Sequence, residues 1–147
     1  MEEALHQARL IVYHKQNTSA RTRFLRYQHG GVCGLESLPA LAEFIDDSSP
    51  AIPRPELVEH PAALVSEAAA LLGLSRGDIV VEPEFHEWVD IPDGPVRVFL
   101  GRCDSIDPPL AGAEDAGCRF VDLTEARDLP PAELELLRRA YTVVMEG

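Results

Sequence analysis

The segment from Pro61 to Leu74 constrains the chain more than any other, because it is apolar, closed at both ends and free of interruption. Pro61 suits the first turn of a helix, where its missing amide hydrogen would have had no partner, and Gly73 suits the left-handed stop. The spacing therefore predicts a helix from Pro61 to Leu72. Leu64, Val65, Ala68, Leu71 and Leu72 fall at helical intervals and define a core stripe, while Ala62, Ala69 and Ala70 let the helix approach a sheet closely.

The flanking sequence supplies the sheet. Leu10 to Tyr13 and Phe24 to Tyr27 read as two strands, and Gly30, Gly31 and Gly34 break the second. Leu38 to Phe44 suits a short helix, and Asp46 to Pro55, rich in Asp, Ser and Pro, reads as a mobile loop. Ile79 to Val81 begins extended structure. Pro92-Asp93-Gly94 between the apolar runs Glu84–Ile91 and Pro95–Cys103 is a hairpin signal. Val96, Val98 and Leu100 alternate with Arg97, Phe99 and Gly101, as on a strand with one better buried face. Cys118 to Val121 reads as a last strand, and Thr124 as the cap of a short helical turn. After Pro130 and Pro131, a helix places Leu134, Leu137, Tyr141 and Val144 on one face, with Glu135 and Arg139 paired on the other. The expectation is one α+β domain, residues 1–147, built on a mixed sheet.

Charge narrows the partners. With 13 basic and 25 acidic side chains the formal net charge is -12, which disfavours nucleic acid and anionic lipid. The acidic start Met1-Glu2-Glu3 lacks the order of a secretory signal, and no apolar run approaches the roughly 20 residues of a membrane span, so a soluble, cytoplasmic protein is expected. Cys33, Cys103 and Cys118 show no paired spacing and read as reduced, buried thiols; Cys33 beside Gly34 is the one imaginable nucleophile.

The order of these elements, and local phrases such as Arg23-Phe24-Leu25-Arg26, Val96 to Leu100 and Cys118 to Ala126, resemble the Nudix hydrolases from Ala8 to Tyr141. That resemblance implies a Nudix-like α/β/α sandwich with a mixed β-sheet. The family's helix reads Arg-Glu-aliphatic-x-Glu-Glu-x-Gly-aliphatic. Laid on Ser66 to Leu74, it matches Glu67, Ala68, Gly73 and Leu74, while the two consecutive metal-binding glutamates fall on Ala70 and Leu71. The family's upstream glycine and glutamate fall on Ile52 and Val58, with Glu56 and Glu59 close by. In the family several carboxylates of this helix hold Mg²⁺ or Mn²⁺, which polarises a diphosphate and readies a water. Glu67 alone cannot assemble such a site.

Other candidates come from the residues themselves. Glu82, Glu84, His86, Trp88 and Asp90 would share one face of an extended strand, bringing carboxylates, an imidazole and an indole together; a solvated edge face is the plainer reading. Arg21, Arg23 and Arg26 form the compact basic group, fit to receive a phosphate or to pair with surface acids. Glu114 and Asp115 lie in the stretch Asp104 to Gly117, which its Pro, Ala, Gly and acids mark as a solvated loop and where some Nudix enzymes carry a catalytic acid.

Two readings follow. The first is a non-catalytic Nudix-fold module with a degenerate signature and no cofactor, binding a small phosphorylated ligand or a protein partner, most simply in a homodimer. Its binding residues would be Arg23, Arg26, Glu84, His86 and Trp88, with Trp88 and Phe85 as interface anchors. The alternative is a divergent Mg- or Mn-dependent hydrolase of nucleoside diphosphate derivatives, with Glu67 and Glu114 catalytic and Glu59 and Glu67 as metal ligands.

Overall fold

The computed structural model describes residues 7–16, 19, 21–34, 38–39, 41–45, 50, 61–85 and 87–146. Among the described residues seven strands form one mixed sheet: β1 (Ala8–Lys15), β2 (Thr22–Arg26), β3 (Glu43–Phe44), β4 (Ile79–Val81), β5 (Glu87–Ile91), β6 (Gly94–Cys103) and β7 (Arg119–Val121). The path runs β3-β5-β6-β1-β2-β7. β6 is the hub. Along one edge it pairs parallel with β1, from Ala8↔Arg97 to Tyr13↔Arg102. Its other edge is shared: β5 pairs with its first half, from Glu87↔Val98 to Ile91↔Gly94, and β4 with its second, from Ile79↔Cys103 to Val81↔Gly101.

Strand alternation then sorts side chains onto two faces. Ile11, Tyr13, Phe24, Val96, Val98 and Leu100 face the carboxy-terminal helix α3 (Pro131–Glu146) and join Leu136, Leu137, Ala140 and Val144 in one core. Leu10, Val12, Leu25, Ile79 and Cys103 face α1 (Pro61–Leu72) and pack with Val65, Ala68, Ala69 and Leu72 in the other. Burying a leucine such as Leu72 stabilises by about 1.5–3 kcal/mol. Gly101 on β6 leaves the space that Leu10 and Ile79 fill, since a Cβ there would lie 2.9 Å from the Ile79 side chain.

α1 has the predicted bounds, with Gly73 at φ 70 closing it and the Leu74 amide donating to the Ala69 carbonyl at 2.8 Å. The hairpin at Pro92 and Asp93 also forms as expected. Three expectations are corrected. In place of the helix expected over Leu38 to Phe44, the described residues 38–39 and 41–42 are irregular, and Glu43 and Phe44 pair with Asp90 and Val89 as an edge strand. The expected loop Asp104 to Gly117 holds a short helix, α2 (Leu110–Asp115), hidden by Gly112 and by the prolines that precede it. The turn Leu123–Ala126 follows Asp122, whose amide donates to the Glu125 carboxylate at 3.0 Å, so Thr124 is not its cap. The Asp46 to Pro55 loop lies almost wholly outside the described residues.

Candidate functional site

α1 presents Glu67, Ala70 and Leu71 in one turn at its carboxy-terminal half. Glu67 and Ala70 are exposed, whereas Leu71 is half-buried and lines a cavity of about 390 Å³ with Tyr27, Gln28, His29, Ala116 and Cys118. The chain leaving β2 builds the opposite wall. The Tyr27 and His29 rings stack with centroids 5.8 Å apart and planes 4° from parallel. His29 is fixed by its own loop. The Gly31 amide donates to Nδ1 at 3.1 Å, so Nε2 carries the hydrogen and donates to the Gly34 carbonyl at 2.9 Å. Burial is the main reason the Tyr27 phenol is pushed well above its ordinary range, with Glu67 contributing, so Tyr27 enters this cleft neutral.

The loop behind His29 rests on a buried carboxylate. Glu133, 2% exposed in the first turn of α3, accepts from the amides of Val32 at 3.0 Å and Cys33 at 3.3 Å through one oxygen. Gly31 tolerates this only because it lacks a side chain, since a Cβ would sit 2.7 Å from that oxygen. Glu133 lay off the predicted Leu134-Leu137-Tyr141-Val144 stripe. The face turned to the core is instead Glu133, Leu136, Leu137, Ala140 and Val144, and Tyr141 is 38% exposed. Ala116, the residue that follows α2, lines the cleft beside Leu71. Gly112 lies so close to the end of α1 that a Cβ would meet the Leu72 carbonyl at 2.0 Å.

The sequence-derived candidates are dispersed. Arg26 is buried: it donates to both Asp128 oxygens at 2.9 and 2.7 Å and to the Gly30 carbonyl at 2.7 Å, which commits it to holding the loop after β2 rather than to receiving a ligand. Arg21 forms a two-pronged pair with Asp122, at 3.1 and 3.0 Å. Arg23 is half-buried on β2, opposite His14, and adds to the field that lowers the Asp122 carboxyl, an effect due first to the Arg21 hydrogen bond. Trp88 and Phe85 are 6% and 2% exposed, so neither is a surface anchor. The proposed acidic row breaks because β5 starts only at Glu87 and residues 83–84 turn. Glu82 and Glu84 enter a different, larger cavity at the carboxy-terminal ends of β1 and β6. Glu114 is exposed on α2, and the thiols of Cys33, Cys103 and Cys118 are all buried, which disqualifies Cys33 as a nucleophile. His86 and Glu59 lie outside the described residues.

A divalent cation of the kind the resemblance implies does not fit the described part of the cleft. Among the described residues no three His, Cys, Asp or Glu side chains are grouped to hold a metal ion, and Glu67 is the one carboxylate on α1. Nor, among the described residues, is any helix long and apolar enough to cross a membrane.

No protein-family model matches the sequence, and no curated protein matches it. Solved structures do match the fold. A C. elegans Ap4A hydrolase is 13% identical with a TM-score of 0.52, covering 95% of this chain and 98% of its own. A binary complex of a C. elegans Ap4A hydrolase gives 12% and 0.53 with the same coverage. RenU, a Nudix hydrolase from M. smegmatis, is 17% identical over 99% of this chain and 90% of its own, with a TM-score of 0.54. The fold is therefore Nudix-like, an α+β sandwich of helices on both faces of a mixed sheet.

Proposed function

We propose that this is a non-catalytic Nudix-fold binding module whose degenerate cleft receives a small, flat, mainly apolar ligand. The observation that carries this reading is Leu71. At the position where the resemblance would place a metal-binding glutamate, an aliphatic side chain lines a cavity faced by a neutral phenol, a stacked imidazole and Cys118. Such a lining favours burial of an aromatic or apolar group, oriented by few polar atoms, here the Gln28 amide. The protein-partner version is less well supported, because Trp88 and Phe85 face inward. A homodimer through the exposed surface around Ala70 is its remaining form, and light scattering after size exclusion would detect it.

A second reading is kept because the similar solved structures are hydrolases and because Glu67 is exposed beside the cleft. It holds that the chain is a divergent Mg- or Mn-dependent hydrolase of nucleoside diphosphate derivatives. Phosphate release from a panel of dinucleoside polyphosphates and nucleoside diphosphate derivatives, with Mg²⁺ or Mn²⁺, separates the two. The binding reading expects no turnover above that of Glu67→Gln. It also expects NMR shifts at Tyr27, His29 and Cys118 on adding nucleosides or small aromatic compounds. Metal-dependent turnover abolished by Glu67→Gln would overturn it in favour of catalysis.

A further inference from the structure

The larger cavity, about 720 Å³, lies at the other end of the sheet from the α1 cleft, where parallel β1 and β6 both end. Its lining mixes charge and apolar surface, with Lys15, Glu84, Arg102 and Asp104 alongside Ile106 and the α3 residues Val143 and Val144.

Arg102 is the anomaly. Its side chain is 43% exposed and forms a loose ion pair with Glu82, 3.8 Å from Nη1; among the described residues its guanidinium makes no hydrogen bond, and Nε is buried without an acceptor. Nε lies out of a ligand's reach, but the exposed Nη groups have hydrogens to give to an acceptor that enters the cavity. Glu82 cannot turn to Arg102 freely, because the Tyr13 hydroxyl donates to the same Glu82 oxygen at 2.6 Å. Lys15 gives one hydrogen to the Val144 carbonyl at 3.3 Å, at the end of α3. Among the described residues its other two ammonium hydrogens meet no acceptor. The carboxylates of Glu84 and Asp104 are exposed and, among the described residues, accept no hydrogen bond.

The cavity thus offers donors in search of an anion and acceptors in search of a cation. A free anion would have to approach a chain of net charge -12, whereas a ligand carrying both signs has no net charge to be repelled. The apolar wall of Ile106, 81% exposed, with Val143 and Val144 gives its hydrocarbon part a surface to cover.

We infer that this cavity binds a small zwitterion, an α-amino acid or short peptide with an apolar side chain, its carboxylate on Arg102 and Lys15 and its ammonium on Glu84 or Asp104. The volume lies in the range of small-molecule sites and leaves room for a dipeptide. The assignment stands on residues remote from α1 and is independent of what the α1 cleft binds.

The probes are L-leucine, L-leucyl-L-leucine, N-acetyl-L-leucine and L-leucinamide, followed by calorimetry and by amide shifts of Ser105, Ile106, Val143 and Val144. The zwitterionic probes should shift these amides, and the acetylated and amidated forms should bind about tenfold or more weakly. The tighter of the free amino acid and the dipeptide identifies the source. Arg102→Gln should weaken the zwitterion by a similar factor. If that variant does not fold, Glu84→Gln, on an exposed turn, removes an ammonium acceptor instead and should weaken leucine more than N-acetyl-leucine. Absence of shifts at millimolar probe, equal binding of all four compounds, or shifts confined to other residues would overturn the assignment.

Discussion

Glu133 and Val32 are joined across the core by a hydrogen bond from the Val32 amide to a carboxylate oxygen at 3.0 Å, and the Cys33 amide shares the same oxygen at 3.3 Å. A buried acid at the start of a helix would be costly alone, but here it satisfies two backbone donors that have no strand partner. It also sits in the first turn of α3, where a negative charge is favoured by the helix dipole. The glycine loop that carries His29 into the cleft is therefore hung from α3.

Glu133→Ala should destabilise the protein by about 2–4 kcal/mol, because it strands buried amides. Glu133→Gln retains an acceptor and should cost roughly half as much. Urea unfolding of both variants checks this, and equal midpoints for Glu133→Ala and the parent would show that the buried acid is not needed.

Gly112→Ala puts a Cβ within 2.0 Å of the Leu72 carbonyl, and backbone cannot yield as a flexible side chain can. The expected loss is about 1–3 kcal/mol, with α2 displaced from α1 and altered amide shifts at Ala116 and Cys118. Gly77→Ala, where nothing lies within 4 Å of the added atom, is the control and should leave those shifts in place.

The Asp122 and Asp128 carboxyls are held below their ordinary range, each chiefly by a hydrogen bond from its arginine, Arg21 and Arg26 respectively. A carboxyl with a lowered pKa in the folded state contributes stability above its unfolded value, about 3.9, and loses that contribution as pH falls towards the folded one. Stability should therefore be flat from neutral pH down to about 5 and fall below about 4. Asp122→Asn should reduce the steepness of that acid limb in urea titrations at successive pH values, and an unchanged limb would refute the assignment.

The thiols should be silent in the folded protein. Burial pushes the Cys33 and Cys118 thiols above their ordinary range and the Cys103 thiol up to about 12, so little thiolate is available at neutral pH. A disulfide reagent at pH 8 should react slowly in native buffer and titrate all three cysteines in denaturant. Rapid reaction of one in native buffer would place it at the surface.

What was legible in the sequence was whatever local chemistry dictates. Pro61 and Gly73 fixed α1 to the residue, and Pro92-Asp93 fixed the hairpin, because each demands a particular backbone geometry. Edge and tertiary effects were not legible. Glu43 and Phe44 become a strand only because Asp90 and Val89 offer an open edge. Trp88 looked like surface because acids surround it in sequence, and α2 was masked by Gly112, which serves packing rather than a turn. For the cleft, the glycines after β2 mark a loop, but no local signal joins His29 and Tyr27 to Leu71, which comes from another element. Arg102 showed no local signal, since its missing acceptor is a property of three-dimensional surroundings.

The hub position of β6 has a consequence for how the molecule is made. Ala8 must wait for Arg97 before the parallel pair at the centre of the sheet can close, and β2 waits longer still for β7. Such distant pairings are slow to find, on the millisecond-to-second scale of non-local topologies. A nascent chain emerging from the ribosome carries β1 and β2 as a lone hairpin until β6 has been made, its apolar faces uncovered. Until β6 and β7 cover it, that uncovered hairpin is where assembly of this sheet is most exposed to failure.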